Sequence, residues 1–225
     1  MAKGKKPDRA PIHSFRDVLN AAGPRPARGS GGYATKFASA MAVWLANAFR
    51  EQFPGIMPDP TGKGVESPSR ALRGLKRLDI NFSTPQAGLG LGISLKSVHV
   101  PDKNPKHRYH HNRKRNDEEL RVEAAGYHQR QPFAVLVAVV VLPVESCDDA
   151  DKRPSSFGMW VEYLWPLAKR RDPQDDVDRF EQVFVCLYDS RTAEVGFFDV
   201  TDPPPEKGRP SKLLSLEEFV GRVAS

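Results

Sequence analysis

The segment that most restricts the fold is PFAVLVAVVVLP, residues 132–143, which is apolar at nearly every position. Successive side chains of a strand point to opposite faces, so this run fits a strand that is buried on both faces. Such a strand needs a covering layer on each side of its sheet, and helical patterns occur both before and after it. The sequence therefore predicts an α/β (α+β) fold, with a mixed central sheet flanked by helices.

The rest of the chain divides into shorter segments. Residues 1–30 are rich in Gly, Pro, Arg and Lys, which predicts a basic flexible arm around one short helix. Residues 31–225 are predicted as a single domain, with a core at about 35–143 and a C-terminal elaboration at 144–225. Apolar spacing and capping residues predict helices at 15–21, 33–53, 67–77, 116–131, 155–166 and 215–224, and strands at 78–82, 89–98, 181–189 and 194–200.

Composition excludes several classes of protein. The sequence has no run of about 18 apolar residues, which predicts that no segment spans a membrane. Its basic start, MAKGKKPDRAP, is not followed by a hydrophobic stretch and so does not resemble a secretory signal. The only cysteines, Cys147 and Cys186, are far apart and have no paired neighbours. This usage argues against a disulfide framework or a zinc site, and it predicts a cytoplasmic protein.

Positive charge is concentrated in one segment. The formal net charge is +6, and KNPKHRYHHNRKR, residues 103–115, contains no acid, whereas DPQDDVD, residues 172–178, is acidic. A local basic cluster suits contacts with the phosphates of double-stranded DNA, and a solvated loop is the alternative interpretation. The candidate DNA-binding residues are Lys103, Lys106, Arg108, Arg113, Lys114 and Arg115.

The strand predicted at 89–98 has two different faces. Its apolar odd-numbered positions alternate with even-numbered positions that carry two glycines, Ser94 and Lys96. In a hairpin with the preceding strand, Asp79 is expected opposite Lys96, and Asn81 opposite Ser94, all on one face. Glycine weakens a strand, so the two glycines are expected where another backbone or a ligand approaches closely. A simple cross-strand ion pair is the alternative.

Asp79, followed after fourteen residues by Ser94-Leu95-Lys96, resembles the motif of the PD-(D/E)xK nuclease superfamily, which includes most type II restriction endonucleases. The predicted helix and buried strand that come next also match the order of that family's core. The resemblance implies a restriction-endonuclease-like fold and a Mg²⁺-dependent DNA endonuclease, with Mn²⁺ as a substitute, that acts in restriction or phage defence. A homodimer is expected for a double-strand cutter, since two sites must face two phosphates.

The sequence departs from the family pattern at Ser94, where a metal-binding acid is expected. Serine is a poor ligand for Mg²⁺, and family members with Ser-x-Lys supply the acid from the next helix. We place Glu119 first, because it falls in the first turn of the predicted helix, nearer the strand ends. Glu123 is second, and Glu66, before the helix predicted at 67–77, is a further candidate.

The resemblance also implies a role for each residue. Asp79 and the glutamate hold the metal, while Lys96 orients or deprotonates a water or neutralises charge on the phosphate. Ser94 hydrogen-bonds a water or ligand, so the expected catalytic set is Asp79, Ser94, Lys96 and Glu119. The main alternative is a non-catalytic DNA-binding protein on a degenerate nuclease fold, which the serine favours. The histidines within 107–111 lack the second ligand pair that a zinc site needs.

Overall fold

The structure, a computed structural model, describes residues 11–26, 31–71, 74–99, 109–110, 112–149 and 154–225. Within these residues a five-stranded mixed sheet has five helices packed around it, which confirms the predicted α/β fold class. A separate two-stranded hairpin precedes the sheet. The helices are α1 (Phe15–Ala22), α2 (Gly31–Phe49), α3 (Arg113–His128), α4 (Ser156–Leu164) and α5 (Leu216–Ala224), and the strands are β1 (Ser67–Ala71), β2 (Gly74–Leu78), β3 (Ile80–Thr84), β4 (Gly88–Ser97), β5 (Val135–Pro143), β6 (Gln182–Tyr188) and β7 (Val195–Asp199).

The five-stranded sheet has the order β3-β4-β5-β6-β7. Strands β4, β5 and β6 run parallel, and the edge strands β3 and β7 run antiparallel to their neighbours. Parallel neighbours need a crossover connection, which α3 supplies between β4 and β5 and α4 supplies between β5 and β6. The central strand, β5, is buried along nearly its whole length, as predicted.

The sheet separates two helical layers. Helices α1, α2 and α5 cover the face on which Leu91, Ile93 and Leu95 lie, and helices α3 and α4 cover the other face. Phe15 of α1 is buried in the first layer, so the core includes residues that the sequence analysis assigned to the arm. Among the described residues, none of the helices combines the length and the apolar character needed to cross a membrane.

The prediction of a helix at 67–77 is wrong. These residues form the antiparallel strands β1 and β2, with Ser67 opposite Leu78 and Ala71 opposite Gly74. A Ser-Pro start is typical of a helix N-terminus, but a proline is also tolerated in an edge strand. Periodicity alone is ambiguous over so short a segment, and the burial of Leu78 in the core between the sheet and α3 accords with the extended chain.

Helix α3 begins at Arg113, three residues before the start predicted at residue 116. The helix is preceded by Asn112 with a positive φ of 62°, a conformation that asparagine tolerates better than most residues. One consequence concerns the candidate site. Glu119 lies in the second turn of the helix instead of the first.

Candidate active site

Asp79 lies at the bend between β2 and β3, beside strand β4. Strand β3 pairs with β4 two residues away from the predicted register, because Asn81 lies opposite Gly92 and not opposite Ser94. A shift of two residues leaves every side chain on its predicted face. Oδ2 of Asp79 accepts a hydrogen bond from the backbone N–H of Leu95 at 2.7 Å, which fixes this carboxylate against the middle of the Ser-Leu-Lys motif.

Lys96 joins strand β4 to helix α3 through two carboxylates. Its Nζ lies 2.9 Å from Oε1 of Glu123 and 3.4 Å from Oε2 of Glu119. Glu119 also accepts a hydrogen bond from Nε of Arg115 at 2.8 Å, and this bond lowers the pKa of the Glu119 carboxyl. The Lys96 side chain is only 16% exposed, so its ion pairs are partly shielded from solvent. Of the two glutamates, Glu123 is the closer partner.

The charges of this cluster perturb one another's protonation. Burial raises the pKa of Asp79 to about 6 against the opposing hydrogen bond from Leu95, and the charge of Glu123 adds to the increase. Burial alone would lower the pKa of Lys96, but Glu123 and Glu119 outweigh this effect and the pKa is raised. Lys96 is therefore a cation at neutral pH.

Tyr127 lies one helical turn after Glu123 on helix α3. Its side chain is fully buried, and its hydroxyl has no hydrogen-bond partner among the described residues. Burial raises the pKa of this hydroxyl, and the charges of Glu123 and Asp79 raise it further, so the hydroxyl lies within electrostatic reach of both acids. No sequence signal distinguishes such a tyrosine from an ordinary core residue.

The glycine-bearing part of β4 is covered by the protein's own side chains. A Cβ added at Gly92 would lie 2.8 Å from Cδ1 of Leu78 and 2.9 Å from Cδ2 of Leu136. A Cβ added at Gly90 would lie 3.2 Å from Cδ1 of Phe82. The expectation that another backbone or a ligand approaches these glycines is therefore wrong. They make room for core packing next to the site.

Two open grooves border the cluster. The first, of about 460 Å³, has Arg77 of β2 on one side and α3 on the other. The second, of about 590 Å³, shares Arg115 and Glu118 with the first and extends to the start of α3. Acidic and basic side chains thus line one continuous surface. The first groove is lined by Arg77, Arg115, Glu118, Glu119, Val122 and Glu123, and the second by His110, Asn112, Arg113, Lys114, Arg115, Glu118 and Tyr163.

The predicted DNA-binding residues fall into three groups. Lys103, Lys106 and Arg108 lie outside the described residues. Arg113 donates to the backbone oxygen of Met159 at 3.2 Å and lies 5.4 Å from the centre of the Tyr163 ring, so it ties α3 to α4. Two residues remain exposed beside the grooves, Lys114 with 84% and Arg115 with 72% of the side chain accessible.

The acids near Asp79 limit how a metal could bind. Among the described residues, no group of three or more His, Cys, Asp or Glu side chains is arranged to hold a metal ion. Glu66 lies at the margin, with 58% of its side chain exposed and an ion pair to Arg77 at 3.5 Å. Mg²⁺ usually keeps several waters and is often bound through one or two carboxylates. Asp79 and Glu123 fit that smaller donor set, since a cation would offset the repulsion that helps to raise the Asp79 pKa.

The structure thus brings Asp79, Lys96, Glu119 and Glu123 together. Ser94 lies between Asp79 and Lys96 in the motif, but it is only 2% exposed and pairs with Ala138 of the central strand. Sequence reasoning missed Arg77, because it placed that residue in a helix. Comparisons of the chain with protein-family models, curated proteins and solved structures gave no significant match, so the PD-(D/E)xK likeness rests on the residues described above.

Proposed function

We propose that this protein is a Mg²⁺-dependent endonuclease that hydrolyses phosphodiester bonds in double-stranded DNA. The observation that carries the proposal is the convergence of Asp79, Glu123 and Lys96 beside a groove that is also lined by Arg77 and Arg115. Carboxylates suit a hard divalent cation, and guanidinium groups suit the flanking phosphates. The spacing of the Asp and Ser-x-Lys elements on adjoining segments of the sheet supports the same reaction.

In this proposal Asp79 and Glu123 are the residues that would hold Mg²⁺, or Mn²⁺ in its place. An ion bound there would supply an activated water and neutralise charge on the phosphate oxygens. Glu123 is placed before Glu119, because it lies closer to Lys96 and contributes to the raised pKa of Asp79. Glu119 is held by Arg115, so it serves to orient that arginine and to share the charge of Lys96.

Lys96 acts as a positive charge in the proposed reaction. Its raised pKa keeps the ammonium protonated at neutral pH, so it cannot accept a proton from water. A buried cation that donates hydrogen bonds can stabilise the charge that develops on a phosphate during cleavage. Of the roles considered for Lys96 from the sequence, neutralisation of phosphate charge has the stronger support.

The proposal is tested by cleavage of supercoiled plasmid DNA with Mg²⁺ and with Mn²⁺. Asp79→Asn, Glu123→Gln and Lys96→Met are each expected to reduce the rate by about 100-fold or more, since each removes a charge placed at the reacting phosphate. Glu162→Gln is the matched control, because Glu162 is an exposed glutamate on helix α4, and α4 covers the same face of the sheet as α3. The proposal fails if the wild type cuts with neither metal, or if Asp79→Asn cuts as fast as the wild type.

A non-catalytic DNA-binding protein on the same fold is the second candidate. It is favoured by the serine at position 94, and by the lack of any three-ligand group among the residues that the structure describes. The plasmid assay separates the two functions when it is paired with a DNA-binding titration at several salt concentrations. Binding without cleavage at every metal concentration would support the second candidate.

By family analogy we place the enzyme in restriction or phage defence in the cytoplasm, acting as a homodimer on two DNA strands. The free, buried thiols of Cys147 and Cys186 accord with a reducing compartment. Phage plating on bacteria that express the wild type or Asp79→Asn tests the defence role, with protection expected only from the wild type. Sedimentation of the protein on a short duplex tests the dimer, with two copies expected on each duplex.

A further inference from the structure

The β1–β2 hairpin carries a density of positive charge that the proposed function does not use. Within residues 67–77 the sequence has four basic residues and no acid. The hairpin forms a sheet of its own, apart from the five-stranded sheet. A basic element with no acidic residue has the composition expected of a surface that contacts a polyanion. The basic residues are Arg70, Arg73, Lys76 and Arg77.

The base of the hairpin is anchored next to the candidate site. Its last residue, Leu78, is 2% exposed and packs against Gly92, where an added Cβ would lie 2.8 Å from Cδ1 of Leu78. The next residue in the chain is Asp79, whose carboxylate is bonded to strand β4. Strand β1 also approaches helix α3 and strands β3 and β4. The hairpin therefore has a defined position relative to the carboxylates.

Arg77 projects from this base into the groove beside the cluster. It lines that groove together with Arg115 and Glu123 on α3, and 72% of its side chain is exposed. Its ion pair with Glu66 has a length of 3.5 Å, and Glu66 is itself 58% exposed. Exposed pairs of this kind contribute little to stability, so the guanidinium can exchange Glu66 for a phosphate at small cost.

We propose that the β1–β2 hairpin is a DNA-contacting arm, in which Arg77 binds the phosphate backbone on the side of the groove opposite α3. Duplex DNA is the occupant that the charge of the hairpin favours, because its ionisable residues are all basic and Arg77 is exposed at the groove. The inference rests on the proposed function for the position of the DNA. Binding needs no cleavage, so the two can fail separately.

The test is a titration of a short DNA duplex with the full-length protein in EDTA, followed by fluorescence anisotropy over a series of salt concentrations. Each phosphate contact contributes about 0.9 to the slope of log K against log salt, so Arg77→Gln should reduce the slope by about 1. Arg77→Lys keeps the charge and should restore most of the slope.

Arg191→Gln is the matched control. Arg191 is 80% exposed, has a similarly weak ion pair to Asp189 at 3.7 Å and lies in the β6–β7 turn at the other edge of the sheet. This control is expected to keep the slope of the wild type. Thermal melts of all variants show whether each is folded at the temperature of the titration.

Several outcomes decide the inference. A slope of Arg77→Gln equal to that of the wild type overturns the inference, whether or not the wild type cuts DNA. If Arg77→Gln changes the sedimenting mass of the protein but not the slope, the hairpin takes part in self-association, and this result also overturns the inference. A reduced slope in a protein that never cuts DNA supports the hairpin arm and rejects only the nuclease.

Discussion

Replacing Asp79 with asparagine should stabilise the protein at neutral pH. The pKa of this carboxyl is raised from 3.8 to about 6, mainly by burial. Each unit corresponds to about 1.4 kcal/mol, so keeping Asp79 ionised in the folded state is unfavourable by about 3 kcal/mol. Asparagine retains an oxygen that can accept the hydrogen bond from Leu95 and carries no charge. The stabilisation is therefore expected to approach, and not to exceed, about 3 kcal/mol.

The sign of the effect sets its pH dependence. Because the pKa of Asp79 is higher in the folded state than in the unfolded state, the folded protein binds more protons between about pH 4 and about pH 6. The free energy of unfolding of the wild type should fall as the pH rises through this window and then level off. Asp79→Asn lacks this decrease. Other groups titrate in both proteins, so the difference between the two curves isolates Asp79.

Urea denaturation followed by tryptophan fluorescence, at several pH values, measures both curves. The two proteins should be equally stable near about pH 4 and differ most above about pH 7. Adding Mg²⁺ at neutral pH should stabilise the wild type alone, by about 2.7 kcal/mol at a hundredfold excess over Kd. A variant that is less stable than the wild type at neutral pH would refute the burial argument. Equal stabilisation of both proteins by Mg²⁺ would place the cation away from Asp79.

Three further substitutions test packing, two of them beside the site and one in helix α5. Gly92→Ala should lower the free energy of unfolding by about 1–3 kcal/mol, because its Cβ would lie 2.8 Å from Leu78 and 2.9 Å from Leu136. Gly221→Ala in α5 should raise the free energy of unfolding by about 0.5–1 kcal/mol, because an added Cβ would meet no described atom within 4 Å. Urea titrations in which both glycine variants change the stability in the same direction would contradict these predictions. Tyr127→Phe removes a buried hydroxyl that has no partner among the described residues, so it should raise the melting temperature in metal-free buffer by an amount that corresponds to about 1 kcal/mol or more. A lower melting temperature would mean that water satisfies the hydroxyl.

Elements with a strong local signal could be predicted from the sequence. Strand β5 is apolar on both faces, and helix α5 has a Ser215–Glu218 capping box in which each side chain bonds the other residue's backbone N–H. The β1–β2 hairpin has no comparable signal, since its Ser-Pro start also fits a helix. Its conformation depends on the contact between Leu78 and Gly92, which are distant in sequence and meet only in the folded sheet. A pattern of a few residues cannot encode such a contact.

The candidate site shows how an error in register acts differently on strands and on helices. The predicted pairing of β3 with β4 was wrong by two residues, yet Asn81 stays on its predicted face, because side chains of a strand repeat every second residue. Asp79 lies at the bend before β3 and is held against the motif by its hydrogen bond from Leu95. The start of α3 was wrong by three residues, a displacement of about 4.5 Å along the helix axis. That error placed Glu119 in the first turn and ranked it above Glu123. The choice of acid therefore depended on where the helix begins, a boundary that tertiary contacts determine.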